Sequence, residues 1–599
     1  MKSAAAENLL LSAVLLLLVV AGVASADTWR LFGIDLVRLA PEELVRHLTL
    51  ALGLVGGAVA ARDGRLLSFA GAVQLLPAPL LRRIAWLPGL VGCCVAAALA
   101  AASIVYLQLE ARAAPRLASG LPLTLFLALM PAGFAVMALR IAGRASESRF
   151  ARLAIQAAGL LVAFALLRWP DGVVGSPMPA LVLLGVAVLL GAPIFVAVGG
   201  ATVVLFWSRG DPIASIALDY YDQVTNPLLA TLPLFTLTGY VLAESGAAGR
   251  LVRVFTAWTG HFRGGAAAVT ALCCAFFTAF TGGSGVTILA LGGLLMPVLL
   301  SAGYRDRPAL GLLTGAGALG VLLPPCLPLI LYSIVAQVSL EDMFLAGIVP
   351  TALLVGMTIA WGRYAAPPMP SRGAFDLQSA LRATWDARWE IALPAVPLVL
   401  ILGGYMLPVP AAAVTVAYAF GVQLLVYRDA QLRSRLVPML VECGTLVGGV
   451  LLILGTAMGF TNFLVTVHLP DQLAALVGSN IEQRWLFLLA LNVVLIGVGC
   501  LMDIFSAIIV VVPLIVPLAT IFGIDPLHLG VIVLANLELG YLTPPVGLNL
   551  YLAAYRFDRS VMAVARSVLP MLFTLLAGVL LITYWPALTL WLPQQLGRP

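Results

Sequence analysis

The chain has 599 residues, of which 62% are hydrophobic and only 10% are charged, and its formal net charge is +6. A soluble domain carries roughly a quarter charged residues, so this composition excludes a soluble globular protein. Apolar runs long enough to cross a hydrocarbon core of about 30 Å recur along the whole sequence, which indicates an all-α polytopic membrane protein. Cytoplasmic loops and the lipid bilayer account for the small positive charge, and no nucleic-acid partner is needed.

Cysteine and histidine usage gives no sign of a catalytic centre. The seven cysteines lie in apolar segments without a CxxC motif, which is typical of small core residues. The four histidines are scattered, and the sequence has neither a Walker A motif nor a stretch long enough for a nucleotide-binding domain. We therefore expect no enzyme activity, and any transport must use an ion gradient or ATP hydrolysed by another chain.

Residues 1–145 are predicted to form a four-helix membrane domain with spans at 8–26, 47–61, 88–107 and 121–143. Ala24-Ser25-Ala26 has the form of a signal-peptidase site, but the single Lys2 and the long apolar run favour a retained first span. A charged amphipathic segment with Glu42, Glu43 and Arg46 separates the first two spans. Arginines after the second and fourth spans place those ends in the cytoplasm. The loop after the second span carries Arg62, Arg65, Arg82 and Arg83.

Residues 146–177 are predicted to form a linker, with one further span at about 151–168 and a polar junction, "RWPDGVVGSP". The remainder, residues 178–599, reads as a large domain of two halves joined by a polar, arginine-containing segment. The two halves resemble each other at one constant shift in residue number. The shift aligns Pro297 with Pro517, Gly303 with Gly523, Gly320 with Gly540, and Pro324-Pro325 with Pro544-Pro545. Aligned prolines and glycines indicate a repeated backbone shape, and transporter repeats are commonly inverted around a central binding site.

Each half contains an apolar segment that is broken at its centre. The break of the first half is Gly282-Gly283-Ser284-Gly285, and that of the second half carries Asp503 and Ser506. A broken segment of this kind can enter the membrane and return as a helical hairpin when its tip is buried in protein or water. The alternative is a continuous span with a glycine packing face.

The double prolines form the second repeated feature. They are predicted to unwind a helix and free the carbonyl oxygens before the break, those of Gly320 and Leu323 in one half and of Gly540 and Thr543 in the other. Such neutral oxygen ligands suit a monovalent cation, and the new helix N-termini suit an anion. A proline kink without any ligand is the alternative.

Two acidic residues lie within apolar segments, Asp503 and Glu538. A carboxylate inside a membrane costs roughly 2.5–3.5 kcal/mol on insertion scales, so such a residue is a candidate for function. Either residue could instead be paired structurally or lie at an interface.

These residues resemble a known family, the tripartite ATP-independent periplasmic (TRAP) transporters. Residues 1–145, through "PEELVRHLTLALGLVGGAVAARDGRLLSF", resemble its small membrane subunit. Residues 178–599 resemble its large subunit through "LPLFTLTGYVLAESG", "FLAGIVP", both double prolines and "GIDPLHLGVIVLANLELGYLTPPVGLNLYL". The span at 151–168 resembles the linker helix of naturally fused versions.

The resemblance implies a multi-pass protein of the bacterial inner membrane that takes up an organic acid by sodium symport and an elevator movement. A periplasmic binding protein would deliver the carboxylate substrate, and the four-helix domain would brace the scaffold. The implied sodium ligands are Thr281, Gly320, Leu323 and Pro325 in one half and Asp503, Gly540, Thr543 and Pro545 in the other. The candidate substrate contacts are Ser284, Thr287 and Asn549.

One departure concerns the first hairpin, which reads "TGGSGVTILALGG" where many relatives are richer in serine and alanine. Two other classes of protein stay open at this point. One is an elevator-type anion carrier that works without a binding protein, and the other is a membrane scaffold without transport activity.

Overall fold

The computed structural model describes residues 2–25, 41–68, 84–113, 120–368, 375–469, 483–544 and 547–596, together with positions 29, 116, 117, 472, 475 and 481. The regular secondary structure of these residues is helical, apart from two isolated bridges of β type. Twelve of the described helices are long and apolar enough to cross a membrane. The predicted all-α membrane fold is therefore confirmed.

The chain divides into two compact units, which we describe separately. The first unit comprises residues 1–233 and 440–473. Its helices are α1 (Lys2–Ala24), α2 (Pro41–Asp63), α3 (Leu87–Ala113), α4 (Leu123–Arg144), α5 (Arg149–Arg168), α6 (Met178–Leu189), α7 (Ile194–Arg209) and α8 (Ala214–Val224), with the later part of a long helix, Ala430–Thr466.

The four predicted front spans and the linker span all appear as helices, and α3 packs on both α4 and α5. One difference concerns the segment with Glu42, Glu43 and Arg46, which is not a separate element before the second span. It forms the first turns of α2, because Pro41 suits the start of a helix and both glutamates complement its positive end.

One end of the first unit holds a cluster of charges. Glu7 of α1 accepts hydrogen bonds from Arg62 of α2 at 2.9 Å and from Arg140 of α4 at 2.6 Å. Arg144 donates to the main-chain oxygen of Arg62 at 3.0 Å. The start of α1 and the ends of α2 and α4 thus share one side, as alternating spans with basic cytoplasmic ends require.

Another contact surface of α2 is built on glycine. A Cβ atom added to Gly448 would lie only 2.5 Å from the Cα atom of Gly56, so the two helix backbones touch there. Gly444 and Gly448 are spaced as in a small-xxx-small motif, which lets membrane helices approach closely. The two glycines that meet here are far apart in the sequence, and no sequence pattern predicted their contact.

The second unit comprises residues 234–439 and 474–599. Its helices, counted onward with the long helix in its place in the chain, are α9 (Thr231–Ala243), α10 (Ala247–Thr259), α11 (Gly265–Thr281), α12 (Ser284–Ser301), α13 (Asp306–Ala316), α14 (Leu327–Val335), α15 (Leu340–Ala365), α16 (Leu377–Asp386), α17 (Arg388–Ala392), α18 (Ala395–Leu402), α19 (Pro408–Gly421), α20 (Ala430–Thr466), α21 (Arg484–Leu501), α22 (Ile504–Ile521), α23 (Pro526–Tyr541), α24 (Leu548–Phe557), α25 (Val561–Tyr584) and α26 (Ala587–Gln595).

The predicted repeat is visible in the helix bounds. Helices α12 and α22 begin at Ser284 and Ile504, and helices α13 and α23 begin at Asp306 and Pro526. Both pairs are related by the same shift that aligns the prolines and glycines of the two halves. Each half therefore has the order helix, short break, helix, helix, longer break, helix. The helices of the two halves therefore begin at equivalent positions, in step with the aligned prolines and glycines.

The segment between the two halves is held by a buried ionic network. Glu390 of α17 is almost fully buried, and Arg250 of α10 donates to it at 2.6 Å. Gln423 and Tyr427 also donate to its carboxylate, at 3.1 and 2.9 Å. A buried charge is tolerated when it is paired and fully hydrogen-bonded, and this one is.

Candidate functional site

The break of the first half is two residues long. Helix α11 ends at Thr281, Gly282 adopts a left-handed conformation with φ of 67°, and Gly283 is extended before α12 begins at Ser284. Only glycine adopts the left-handed conformation without strain, which explains Gly282. Gly285 was predicted to belong to the break, but it lies inside α12, where its missing side chain leaves room for Leu552 of α24. A break and a glycine packing contact therefore exist together in this segment.

Three buried threonine hydroxyls line this break. Thr278 donates to the hydroxyl of Thr287 at 2.8 Å, and the hydroxyls of Thr281 and Thr287 are 3.3 Å apart. Thr278 also lies 2.7 Å from the main-chain oxygen of Gly317. Thr278 was missed in the sequence, although its spacing of three residues from Thr281 would have put both on one helix face. The Thr287 hydroxyl is thus engaged within the cluster.

The break of the second half is built around Asp503. Helix α21 ends at Leu501, and Asp503 caps the start of α22 by accepting hydrogen bonds from the main-chain N–H groups of Phe505 and Ser506, both at 3.1 Å. The Ser506 hydroxyl donates to its other oxygen. Both carboxylate oxygens therefore have protein partners, which gives Asp503 a structural role as a helix cap.

The double proline of the first half lies in a long unwound segment, residues 317–326, between α13 and α14. The predicted carbonyl groups both lie within it. The oxygen of Gly320 accepts from the Leu323 N–H group, and that of Leu323 from the Cys326 N–H group, both at 3.1 Å. A carbonyl oxygen has two lone pairs, so one that accepts a single hydrogen bond within a turn keeps the other lone pair for a further ligand. Pro325 follows Pro324 directly in this segment.

The double proline of the second half follows the end of α23 in the sequence. Helix α23 continues to Tyr541, so Gly540 lies in its last turn, before the double proline as predicted, and its oxygen accepts from the Thr543 N–H group at 3.0 Å. The Thr543 hydroxyl donates to the Leu539 oxygen at 2.7 Å, and the Thr543 oxygen accepts a contact from the Cys500 sulfur at 3.2 Å. Pro545, which was predicted as a ligand, lies outside the described residues.

The aligned glycines before the prolines have the same packing role. A Cβ atom on Gly540 would lie 2.5 Å from the main-chain carbon of Gly499, and one on Gly320 would lie 2.1 Å from the oxygen of Ala275. In each half the unwinding helix therefore touches the backbone of the helix that leads into the break. Glycine is required at both positions for this contact, whatever else the carbonyl groups bind.

The two halves exchange contacts symmetrically. Helix α12 of the first half packs on α24 of the second, and α22 of the second half packs on α14 of the first. At the first of these contacts the Ser284 hydroxyl donates to the Asn549 side-chain oxygen at 2.9 Å. The buried Nδ2 atom of Asn549 has no hydrogen-bond partner in the described part of the chain.

The contact that the repeat makes equivalent to the one between Ser284 and Asn549 is formed by apolar residues. Under the shift that relates the two halves, Ser284 corresponds to Ile504 and Asn549 to Leu329. Only one of the two symmetric contacts is therefore polar. Because Ser284 and Asn549 both lie in the first turn of their helices, amide donors and positive helix ends meet there. This arrangement suits a carboxylate or another anion.

Glu538 lies deep in the second unit, two residues before Gly540. The residue is only 5% exposed, and its Oε1 atom has no hydrogen-bond partner among the described residues. Asp503 and Glu538 thus differ, since one carboxylate is satisfied by a helix end and the other is not.

Family models match almost the whole chain. Residues 15–151 match the model described as "Tripartite ATP-independent periplasmic transporters, DctQ component". Residues 181–588 match the model described as "Tripartite ATP-independent periplasmic transporter, DctM component".

Individual relatives agree with these matches. The C4-dicarboxylate TRAP transporter large permease protein DctM of Pseudomonas aeruginosa is 34% identical over 67% of this chain and 93% of its own length. The protein of the same name from Rhodobacter capsulatus is 31% identical, over 70% of this chain and 100% of its own length. The isethionate TRAP transporter permease protein DctMQ of Oleidesulfovibrio alaskensis is 30% identical, over 77% of this chain and 73% of its own length.

Proposed function

Because this chain belongs to the tripartite ATP-independent periplasmic transporters and carries their small and large membrane components in one polypeptide, we propose that it imports an organic acid together with sodium. It is a multi-pass protein of the bacterial inner membrane and not an enzyme. Relatives named for C4-dicarboxylates and for isethionate support a small organic anion as the substrate.

The contact between Ser284 and Asn549 is the observation that carries the proposal for the substrate. Two helix N-termini, one hydroxyl and one unpartnered amide nitrogen face a buried position where the two halves meet. A carboxylate oxygen placed there accepts the hydrogen bond that the Asn549 Nδ2 atom lacks. Because a donor left buried without a partner costs about 1–3 kcal/mol, the site favours an occupant that accepts a hydrogen bond.

Sodium coupling is supported by the oxygen atoms at the two pairs of breaks. In the first half, the Thr281 hydroxyl, the carbonyl groups of Gly320 and Leu323 and the adjoining Pro325 supply a neutral set. In the second half, Asp503, Thr543 and the carbonyl of Gly540 supply a set with one charge, and Pro545 would complete it. Hard oxygen ligands with little net charge suit a monovalent ion.

A binding protein and a moving domain complete the proposed mechanism. The binding protein would deliver the carboxylate to the periplasmic face, and the paired breaks with their hairpins would carry substrate and ions across as one body. Because substrate and sodium bind to the same helices, the ions would stabilise the broken segments before the substrate enters. Sodium binding would then raise the affinity for the substrate, which is the requirement for symport.

The test is uptake into proteoliposomes that contain the full chain, with the binding protein supplied outside. We expect substrate accumulation only when the sodium concentration is higher outside than inside. Potassium in place of sodium, at the same membrane potential, is the control and should give no accumulation. Equal uptake in potassium would refute sodium coupling, and full uptake without the binding protein would identify a carrier that works alone.

A further inference from the structure

We propose that Glu538, which belongs to the second half, provides the negative charge of the sodium site in the first half. The inference rests on the sodium coupling proposed above and adds one ligand that the repeat pattern does not assign. A carboxylate from one half would then act at the break of the other.

The first step is the uneven distribution of acids between the halves. Under the shift that relates them, Asp503 corresponds to Gly283, and Glu538 corresponds to Ala318. Both acids of the broken region therefore lie in the second half. The first half has only neutral oxygens at its break, whereas the second half has a carboxylate of its own in Asp503.

The second step is the position of Glu538 against the first half. The main-chain amide of Val321, which donates to the Ala318 oxygen at 3.2 Å, lies near its carboxyl group, and Cys326 lies within electrostatic range of it. Val321 and Cys326 bracket the unwound segment that contains Leu323 and Pro325. The carboxyl group of Glu538 thus reaches the segment whose carbonyl groups are the candidate sodium ligands of the first half.

The third step is the unsatisfied oxygen. Glu538 is 5% exposed, and its Oε1 atom is buried without a hydrogen-bond partner in the part of the chain that the structure describes. A buried carboxylate with a free oxygen is costly unless a cation compensates its charge. Neither Val321 nor Cys326 carries a positive charge, so the carboxyl group must be neutralised by a proton or by a cation from outside the chain, and the inference assigns the cation.

The fourth step is the chemistry of the surroundings. Main-chain carbonyl groups, a threonine hydroxyl and one carboxylate are hard oxygen donors, and these favour small hard cations over soft metal ions. One carboxylate matches one sodium ion in charge. With Asp503 in the second half, each site would then have one acid, which keeps the loaded transport region nearly neutral within the membrane.

The experiment is direct sodium binding to the purified full chain, measured with radioactive sodium and by thermal stabilisation in sodium chloride against choline chloride. The variants are Glu538→Gln and Asp503→Asn, with Glu341→Gln at the start of α15 as the control. Loss of a charge adjacent to a bound ion should weaken one site by roughly tenfold or more. We expect Glu538→Gln and Asp503→Asn each to weaken a different single site, and Glu341→Gln to change neither.

The outcomes separate this inference from the proposed function. Absence of sodium binding to the unmodified chain would refute the sodium coupling itself. Normal binding at both sites in Glu538→Gln would overturn only the role of Glu538. If Glu538→Gln cannot be purified, Glu538→Asp keeps the charge but withdraws it by one methylene group, and unchanged sodium affinity in that variant would equally overturn the inference.

Discussion

At the scale of single residues, the polar groups of the broken region are satisfied unevenly. The Thr278, Thr281 and Thr287 hydroxyls hydrogen-bond to one another, and Asp503 is held by the start of α22. The Asn549 nitrogen and the Glu538 oxygen have no partner among the described residues. Most buried polar groups in proteins are hydrogen-bonded, so these two atoms are candidates for ligand contacts.

The first residue-scale prediction concerns the substrate. Asn549→Leu removes the free amide nitrogen, and Ser284→Ala removes the hydroxyl that orients it. We expect each variant to raise the half-saturating concentration of substrate roughly tenfold or more, since a hydrogen bond to a charged group contributes about 1.5–3 kcal/mol. Uptake at saturating sodium measures this effect.

The control is Ser301→Ala at the far end of the same helix, where the hydroxyl donates to the Val298 oxygen one turn earlier. This variant should behave as the unmodified protein. If Asn549→Leu left the substrate dependence unchanged, the contact between Ser284 and Asn549 would be a packing contact only.

The second residue-scale prediction concerns Asp503 and Thr543. Asp503→Ala and Thr543→Ala should lower the apparent sodium affinity while the protein stays folded, because each removes a side-chain oxygen from the proposed site. Loss of a helix cap costs about 1 kcal/mol by itself, so stability must be measured beside transport. Sodium titration of uptake and a thermal melt give the two readouts.

Asp525→Ala is the matched control, since Asp525 caps α23 by accepting from the Leu527 N–H group at 2.8 Å. It should reduce stability about as much as Asp503→Ala without changing the sodium dependence. If all of these variants showed the sodium dependence of the unmodified protein, Asp503 and Thr543 would have only structural roles.

At the scale of elements, glycine decides which helices touch. The α2 and α20 backbones meet at Gly56 and Gly448, and α21 and α23 meet at Gly499 and Gly540. Without a hydrophobic driving force between helices inside lipid, close backbone approach supplies the van der Waals energy of association. These contacts fix the helices that enter the breaks and those that brace them.

The element-scale prediction compares two neighbouring glycines. Gly448→Val places a side chain where the nearest atom of Gly56 is already 2.5 Å from an added Cβ atom, whereas Gly449 has nothing within 4 Å. Overpacking of this kind costs about 1–3 kcal/mol. We expect Gly448→Val to lower the thermal unfolding temperature in detergent and Gly449→Val to leave it nearly unchanged. Similar melting of both variants would contradict the close contact between α2 and α20.

At the scale of the whole molecule, the two compact units are not two consecutive parts of the sequence. The first compact unit combines residues 1–233 with residues 440–473, which lie far away in sequence. The four front helices are therefore packed with helices that belong to the large component by sequence. Such a body, which has no repeated double-proline break, suits the proposed role of a static scaffold.

The prediction at this scale concerns docking of the binding protein. Glu42 is exposed at the first turn of α2, at the end opposite to the Glu7, Arg62 and Arg140 cluster. Reversing Glu42 and Glu43 to lysine should weaken engagement of the binding protein without changing sodium affinity, because rim charges act mainly on association. Uptake titrated against the binding protein should show a higher half-saturating concentration.

Glu147→Lys is the control for that experiment, since Glu147 is exposed near the other end of the unit. It should titrate normally. A changed sodium dependence with a normal titration in the Glu42 and Glu43 variant would place the front helices in the transport site.

The sequence by itself determined the class of the protein, the front spans, the repeat and the location of both kinds of break. These follow from local chemistry, because long apolar runs form membrane helices, and the paired prolines and the clustered glycines interrupt them. Gly320 and Leu323 could be singled out for the same reason, whereas Ser284 and Asn549 came from the resemblance to the family. The exact helix ends could not be predicted, and the last turn of α23 includes Gly540, which packs on Gly499.

Only the tertiary structure decided which of these features meet. The pairing of Ser284 with Asn549, the threonine cluster with Thr278, and the approach of Glu538 to the first half all join residues from different helices. Sequence periodicity assigns a residue to a face of its own helix, but it does not state which helix that face contacts. Where a membrane-spanning helix is apolar on all sides, hydrophobicity cannot choose its partner, and glycine contacts and buried polar groups make that choice.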